Sequence, residues 1–162
     1  MKKSRVAFLG LFTAFAMILS FVESQIPTFV AIPGIKLGLP NIAIIIILYR
    51  FGWKEASIIS LLRVILTSLL FGTVLSMLYS IAGAVLSLVA MILLKKFLST
   101  VTISVIGGVC HNIGQILVAI LVKETKQLLY YLPVLIISGV IAGIVVGIIA
   151  ALSVKKIEKI DL

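Results

Sequence analysis

Ile26-Pro-Thr-Phe-Val-Ala-Ile-Pro-Gly-Ile-Lys-Leu-Gly-Leu-Pro-Asn41 lies between two strongly apolar stretches and does not read as one continuous helix. It holds three of the chain's four prolines, the turn dipeptide Pro33-Gly34 and a single cation, Lys36. Proline fixes φ and lacks a backbone donor, while Gly34 and Gly38 permit conformations closed to other residues. Irregular backbone near a bilayer is tolerated only where protein buries it or water reaches it. The stretch therefore reads as a stiff loop at one membrane face, forming the lid or rim of a binding cavity.

The bilayer follows from composition. Of 162 residues, 62% are hydrophobic and only 12% charged, and the mean hydropathy is +1.36. A soluble domain of this size cannot hide so much apolar surface in its own core. The net charge of +9 would point to nucleic acid in a soluble chain. Here the cations sit between apolar runs, which the positive-inside rule explains, so no nucleic-acid partner is expected. Cys110 stands alone and excludes an intrachain disulfide; it reads as a small buried hydrophobe. The Met-Lys-Lys-Ser-Arg start lacks a small-residue cleavage site and reads as the head of a retained first helix.

A crossing needs about 20 apolar residues, and six spans are expected in a single transmembrane domain. They run over about 6–22, 39–50, 56–70, 74–94, 103–122 and 129–154. The fold expected is thus an all-α integral membrane protein, a six-helix bundle. The second apolar run is short, about 16 Å at 1.5 Å per residue, so the preceding loop is expected to dip into the membrane. Six crossings place ten cations on one side: Lys2, Lys3, Arg5, Arg50, Lys54, Lys95, Lys96, Lys155, Lys156 and Lys159. Lys36, Lys123 and Lys126 fall opposite, which places both termini in the cytoplasm of a bacterial-type plasma membrane.

Two small-residue stripes stand out. Gly139-xxx-Gly143-xxx-Gly147 grooves one face of the last helix, and Ala7, Gly10 and Ala14 do the same for the first. Such stripes let helices approach closely, either within the bundle or toward a separate membrane subunit. Tyr49, Trp53, Tyr130 and Tyr131 lie at span ends as interfacial anchors.

Ionisable groups inside a bilayer are costly, about 2.5–3.5 kcal/mol for a central Arg even on lenient scales. Arg63 lies near mid-depth, on the order of 13 Å from Lys54 along the helix. It does not readily lose its proton, so it needs a partner, water or an anionic ligand. Glu23 is the acid at similar height, and a structural Arg63–Glu23 pair stands against an anchor for a ligand carboxylate, phosphate or carbonyl. The fifth span carries His111, Asn112 and Gln115, three polar side chains in five positions, of which His111 and Gln115 share a face. They line a pocket or bond between helices. Asn41 is placed to join them, with Tyr79 and Ser80 as weaker candidates. No metal-ligand set, phosphate-binding loop, acidic diphosphate motif or nucleophile–base pair is present, and Asp161 is the lone aspartate. No cofactor is expected, and catalysis by this chain alone is not expected either.

Taken together, Ser20-Phe-Val-Glu23, Ile26-Pro27, Pro33-Gly-Ile-Lys-Leu-Gly38, Asn41, Arg63, Phe71-Gly-Thr73, Tyr79-Ser80, Gly83, Leu86-Ser87 and His111-Asn-Ile-Gly-Gln115 resemble the Gx transporter family. That family is also catalogued as heptaprenyl diphosphate synthase component I, and the likeness spans about residues 5 to 150. It is similar in turn to the substrate-binding S components of energy-coupling-factor (ECF) vitamin transporters. Those are six-helix proteins that capture a ligand outside and dock on a coupling subunit and two ATPases. The resemblance implies that Gly10 and Ala14 match the docking stripe of the first helix, with Gly where S components usually carry Ala.

Two functions are therefore expected to compete. One is substrate capture by Glu23, Lys36, Asn41, Arg63, Tyr79, His111, Asn112 and Gln115, with uptake driven by a separate module. The ligand is then anionic, isoprenoid or ring-like, with membrane lipid around the bundle. The other is a non-catalytic membrane partner of a prenyl diphosphate synthase or a quinone or redox system.

Overall fold

A computed structural model describes residues 2–26 and 37–157. Six α-helices follow one another: α1 (Lys2–Gln25), α2 (Pro40–Arg50), α3 (Trp53–Phe71), α4 (Val74–Leu94), α5 (Thr100–Lys123) and α6 (Leu132–Ile157). A 3₁₀ turn, Lys126–Tyr131, leads into α6. No strand occurs among the described residues. Lys36 and the Pro33-Gly34 turn, expected over the cavity, lie outside the described residues.

Four segments are long and apolar enough to cross a membrane: Val6–Gln25, Val74–Leu94, Thr100–Lys123 and Lys126–Ile157. This is a membrane protein. Among the other two helices, α3 carries Lys54, Glu55 and Arg63, and α2 has only 11 residues.

Polar residues cap the starts of α4 and α5. Thr73 and Ser76 form a reciprocal box at the start of α4, with Ser76 N–H donating to Thr73 Oγ1 at 3.1 Å and Thr73 N–H to Ser76 Oγ at 2.9 Å. Ser99 Oγ accepts from Thr102 N–H at the start of α5. The last helix begins at Leu132 rather than near 129, which puts Pro133 in its first turn, where a missing N–H costs nothing. Between α2 and α3 the chain reverses at Gly52, whose φ of +108° suits glycine, while its N–H donates to Ile47 O.

The short α2 is the centre of the bundle. Ile42 through Leu48 are all buried, as expected of a helix apolar on every side. It packs on α1, α3 and α6. The most extensive contacts run from α4 through α5 to α6. There the glycine stripe of α6 is consumed: a Cβ on Gly143 would lie 2.5 Å from Val105 Cα, and one on Gly147 2.8 Å from Val101 Cα. Gly108 likewise faces the Gly139 carbonyl, 2.7 Å from where its Cβ would be. The α6 stripe thus serves packing within the bundle. By contrast α1 rests chiefly on α2 and α3, and Ala7, Gly10 and Ala14 are exposed.

Candidate functional site

With 11 residues, α2 is about 16 Å long, about half the thickness of a hydrocarbon core of about 30 Å. Backbone demands at its amino end are met locally: Pro40 has no N–H to satisfy, and Asn41 and Ile42 donate back to Gly38 O and Leu39 O. Gly38 adopts φ +72°, a conformation that favours glycine. Its N–H donates to Glu23 Oε1, tying the end of α1 to the start of α2.

A cavity of about 40 Å³ opens at this point. Glu23 contributes from α1, Gly38 and Asn41 from the α2 entry, Arg63 from α3, Ser80 from α4, and His111 and Asn112 from α5. Its remaining wall is the α5–α6 seam, with Ser104, Gly108, Gly139 and Gly143. The volume admits a few water molecules, each needing about 10–15 Å³ by this measure.

Arg63 is the unusual member. Only 9% of it is exposed, and its Nε makes no hydrogen bond among the described residues. Glu23 lines the same cavity and is the opposite charge acting on it. The positive end of the α2 dipole points to the same place. The arrangement is a buried guanidinium and a helix amino end, balanced by one carboxylate that also holds Gly38. Chemically it can accept an electronegative oxygen, with Asn41, Ser80 and His111 beside it to fix orientation.

Asn112 lines the cavity but spends its amide elsewhere. Its Nδ2 donates to Leu135 O at 2.6 Å and lies 3.4 Å from Ser138 Oγ, bonding α5 to α6. Tyr79 and Gln115 do not line the cavity. Gln115 instead turns toward α4, where a Cβ on Gly83 would meet its Cγ at 2.9 Å and His111 Cε1 at 3.0 Å. The Tyr79 hydroxyl and Gln115 Oε1 are both buried and make no hydrogen bond among the described residues. Lys36 lies outside those residues. Ser104 and Gly108 were not legible as site residues, although 104, 108, 111 and 112 share one face of a helix with 3.6 residues per turn. That periodicity was the available signal.

With that geometry in view, the family description heptaprenyl diphosphate synthase component I matches residues 12–153. The chain belongs to that family. No curated protein and no solved structure matches it. Among the described residues of this component I chain, no three His, Cys, Asp or Glu side chains are grouped to hold a metal ion. The match covers every residue that lines the cavity, so the site lies wholly within the part of the chain that defines the family.

Proposed function

We propose that this chain is a membrane receptor that captures a small molecule in the cavity above α2 and does no chemistry on it. The observation that carries the proposal is Arg63, nine-tenths buried, its Nε without a hydrogen bond among the described residues, facing a cavity of mixed polar and apolar lining. Burial of a guanidinium costs several kcal/mol after relaxation unless something returns it. A ligand carboxylate, phosphate or carbonyl oxygen returns it by accepting from Arg63. Asn41, His111 and Ser80 then read the ligand's other polar atoms, and Lys36 adds charge from the loop.

Capture requires the walls to part, because the cavity of about 40 Å³ is far below the roughly 300–1,000 Å³ of a typical ligand pocket. The side that gives is α1 with the α2 entry, held together by the Glu23–Gly38 bond. A ligand oxygen on Arg63 competes with Glu23, frees Gly38 and so couples binding to opening. Uptake then follows the S-component scheme: six crossings, both termini cytoplasmic, and an ECF-type coupling subunit with ATPases docked on the exposed Ala7, Gly10 and Ala14.

The test is thermal unfolding of the purified protein against a panel of vitamins, flavins, quinones and prenyl phosphates. A specific ligand at 100 times its Kd stabilises by about 2.7 kcal/mol. Arg63→Ala is expected to fold and to weaken that ligand at least about tenfold, the loss of one charge-assisted bond. A flat response of the wild type to the whole panel, or an unaltered affinity in Arg63→Ala, sinks the proposal.

One observation favours a second reading: the family's description names a component of a prenyl diphosphate synthase. On that reading the chain is a non-catalytic membrane partner that presents a lipid-soluble substrate to a soluble enzyme. The loops around Arg50–Glu55 and Lys95–Ser104 then carry the contact. Co-purification of a synthase that survives Arg63→Ala but is lost on changing those loops selects this alternative.

A further inference from the structure

The Arg63 cavity carries a balanced pair of charges. Among the described residues, its lining holds one guanidinium, Arg63, and one carboxylate, Glu23, and no further Lys, Arg, Asp or Glu. Asn41 and Ser80 each donate or accept without bringing charge, and a neutral His111 does the same. The space, about 40 Å³, holds roughly three waters at about 10–15 Å³ each. A group of a few atoms placed there lies close to both charges.

An anion on Arg63 brings a second negative charge beside Glu23. A cation on Glu23 brings a second positive charge beside Arg63. Either leaves one charge unbalanced in surroundings of low dielectric, which is the costly arrangement. A group that offers an acceptor oxygen to Arg63 and a hydrogen to Glu23 serves both and leaves the balance untouched. Glu23 has the capacity, since a carboxylate has about four acceptor sites and Gly38 N–H takes one.

Phosphate is also poorly served by donors. Anion sites at helix starts work through free backbone N–H groups, and α2 has spent its own. Pro40 has none, Asn41 N–H donates to Gly38 O at 2.9 Å, and Ile42 N–H donates to Leu39 O at 3.1 Å. The Asn112 amide is spent too, on Leu135 O. What the start of α2 contributes is its dipole, which favours an electronegative oxygen at that end.

We propose that the cavity recognises a net-uncharged carboxamide-type head, as in an amide, a lactam or an imide, with its carbonyl oxygen on Arg63 and its N–H on Glu23. This assignment depends on the cavity being a capture site, as proposed above, and states the chemistry of what is captured.

Acetate, acetamide and acetamidinium share one size and shape and differ in charge and hydrogens. The full chain in neutral detergent is titrated with each, at constant ionic strength in potassium chloride, with Tm as the readout. A pH of about 8 keeps an ordinary imidazole neutral. Acetamide is expected to raise Tm saturably, at about a tenth or less of the concentration that either ion needs. Glu23→Gln leaves a lone cation and should move the preference to acetate. Arg63→Gln leaves a lone carboxylate and should move it to acetamidinium; should that variant not fold, Glu23→Gln carries the test. A wild type that prefers acetate overturns the proposal, because a further cation, with Lys36 the candidate, then reaches the cavity. So does a preference that Glu23→Gln leaves unchanged, or no saturable shift with any of the three. If a vitamin, flavin, quinone or prenyl phosphate still binds through Arg63 in that event, the carboxamide head falls and the receptor stands, whereas a flat response to that panel fails the receptor itself.

Discussion

The small-residue stripes of α6 and α1 look alike in sequence and meet opposite fates. Gly139, Gly143 and Gly147 press against the backbone of α5, and at Gly143 and Gly147 there is no room for a single added carbon. At Gly10 an added Cβ meets nothing within 4 Å. A stripe of small residues records a capacity for close approach, and says nothing of which surface approaches. In α6 the partner is the neighbouring helix, and the seam it makes forms a fixed wall of the Arg63 cavity. In α1 the stripe looks away from the bundle, while the other side of the helix supplies Glu23 to the cavity. One helix seats on its neighbour's backbone, and the other leaves its small residues exposed.

The sharpest way to break that contrast is Gly143→Leu. Its Cβ would lie 2.5 Å from Val105 Cα and 2.9 Å from Ser104 O, both unable to rotate away. We expect a loss of about 3 kcal/mol or more, above the usual range for overpacking, because backbone has to move. Chemical unfolding in detergent reads it, and an unchanged midpoint would mean that α6 does not seat on α5. Gly83→Ala is expected to cost less, about 1–3 kcal/mol. Its Cβ meets the backbone His111 O at 2.7 Å, so backbone has to shift here as well, but a single carbon is added and the other close atoms belong to the Gln115 and His111 side chains. The same variant should weaken any ligand that uses His111, which a binding isotherm would show alongside the unfolding curve.

Asn112→Leu removes the 2.6 Å bond to Leu135 O. Interhelical hydrogen bonds in membranes average about 0.6 kcal/mol and reach about 1.7, so we expect a loss of about 1 kcal/mol. A larger drop would make this side chain the main tie between α5 and α6 rather than one of several. Gly10→Leu is the mild extreme, with stability unchanged to within about 0.5 kcal/mol. Its effect should fall on assembly instead: co-purification of a membrane subunit that uses this stripe is lost while Tm stays put. A large fall in Tm from Gly10→Leu would show that the outer face of α1 is packed within the chain after all.

The cavity was only partly legible beforehand, and the reason differs from residue to residue. Arg63 declared itself, since a cation amid apolar residues has few uses. Glu23, Asn41, His111 and Asn112 were named on similar grounds, and the structure gathers all four around Arg63. Tyr79 and Gln115 were named with them and point elsewhere. Gln115 shares a face with His111 and both lie against Gly83, but it stands one turn, about 6 Å, farther along α5 and misses the cavity. Ser104 escaped notice because a lone serine in a span has many roles. The glycines of the α5–α6 seam read as surfaces for helix approach, within the bundle or toward another subunit, whereas they pack and line the cavity at once.

By itself, the order of residues determined the membrane class and the six helices. Hydropathy, proline position and capping act over a few neighbours, so those features are written locally. The tertiary structure alone decided which stripe is buried, which carboxamide bonds across helices, and which polar groups share the space above α2. Those depend on how far each helix is turned about its own axis. That angle is fixed by backbone-to-backbone approach at glycines such as Gly108 and Gly143, contacts between residues far apart along the chain.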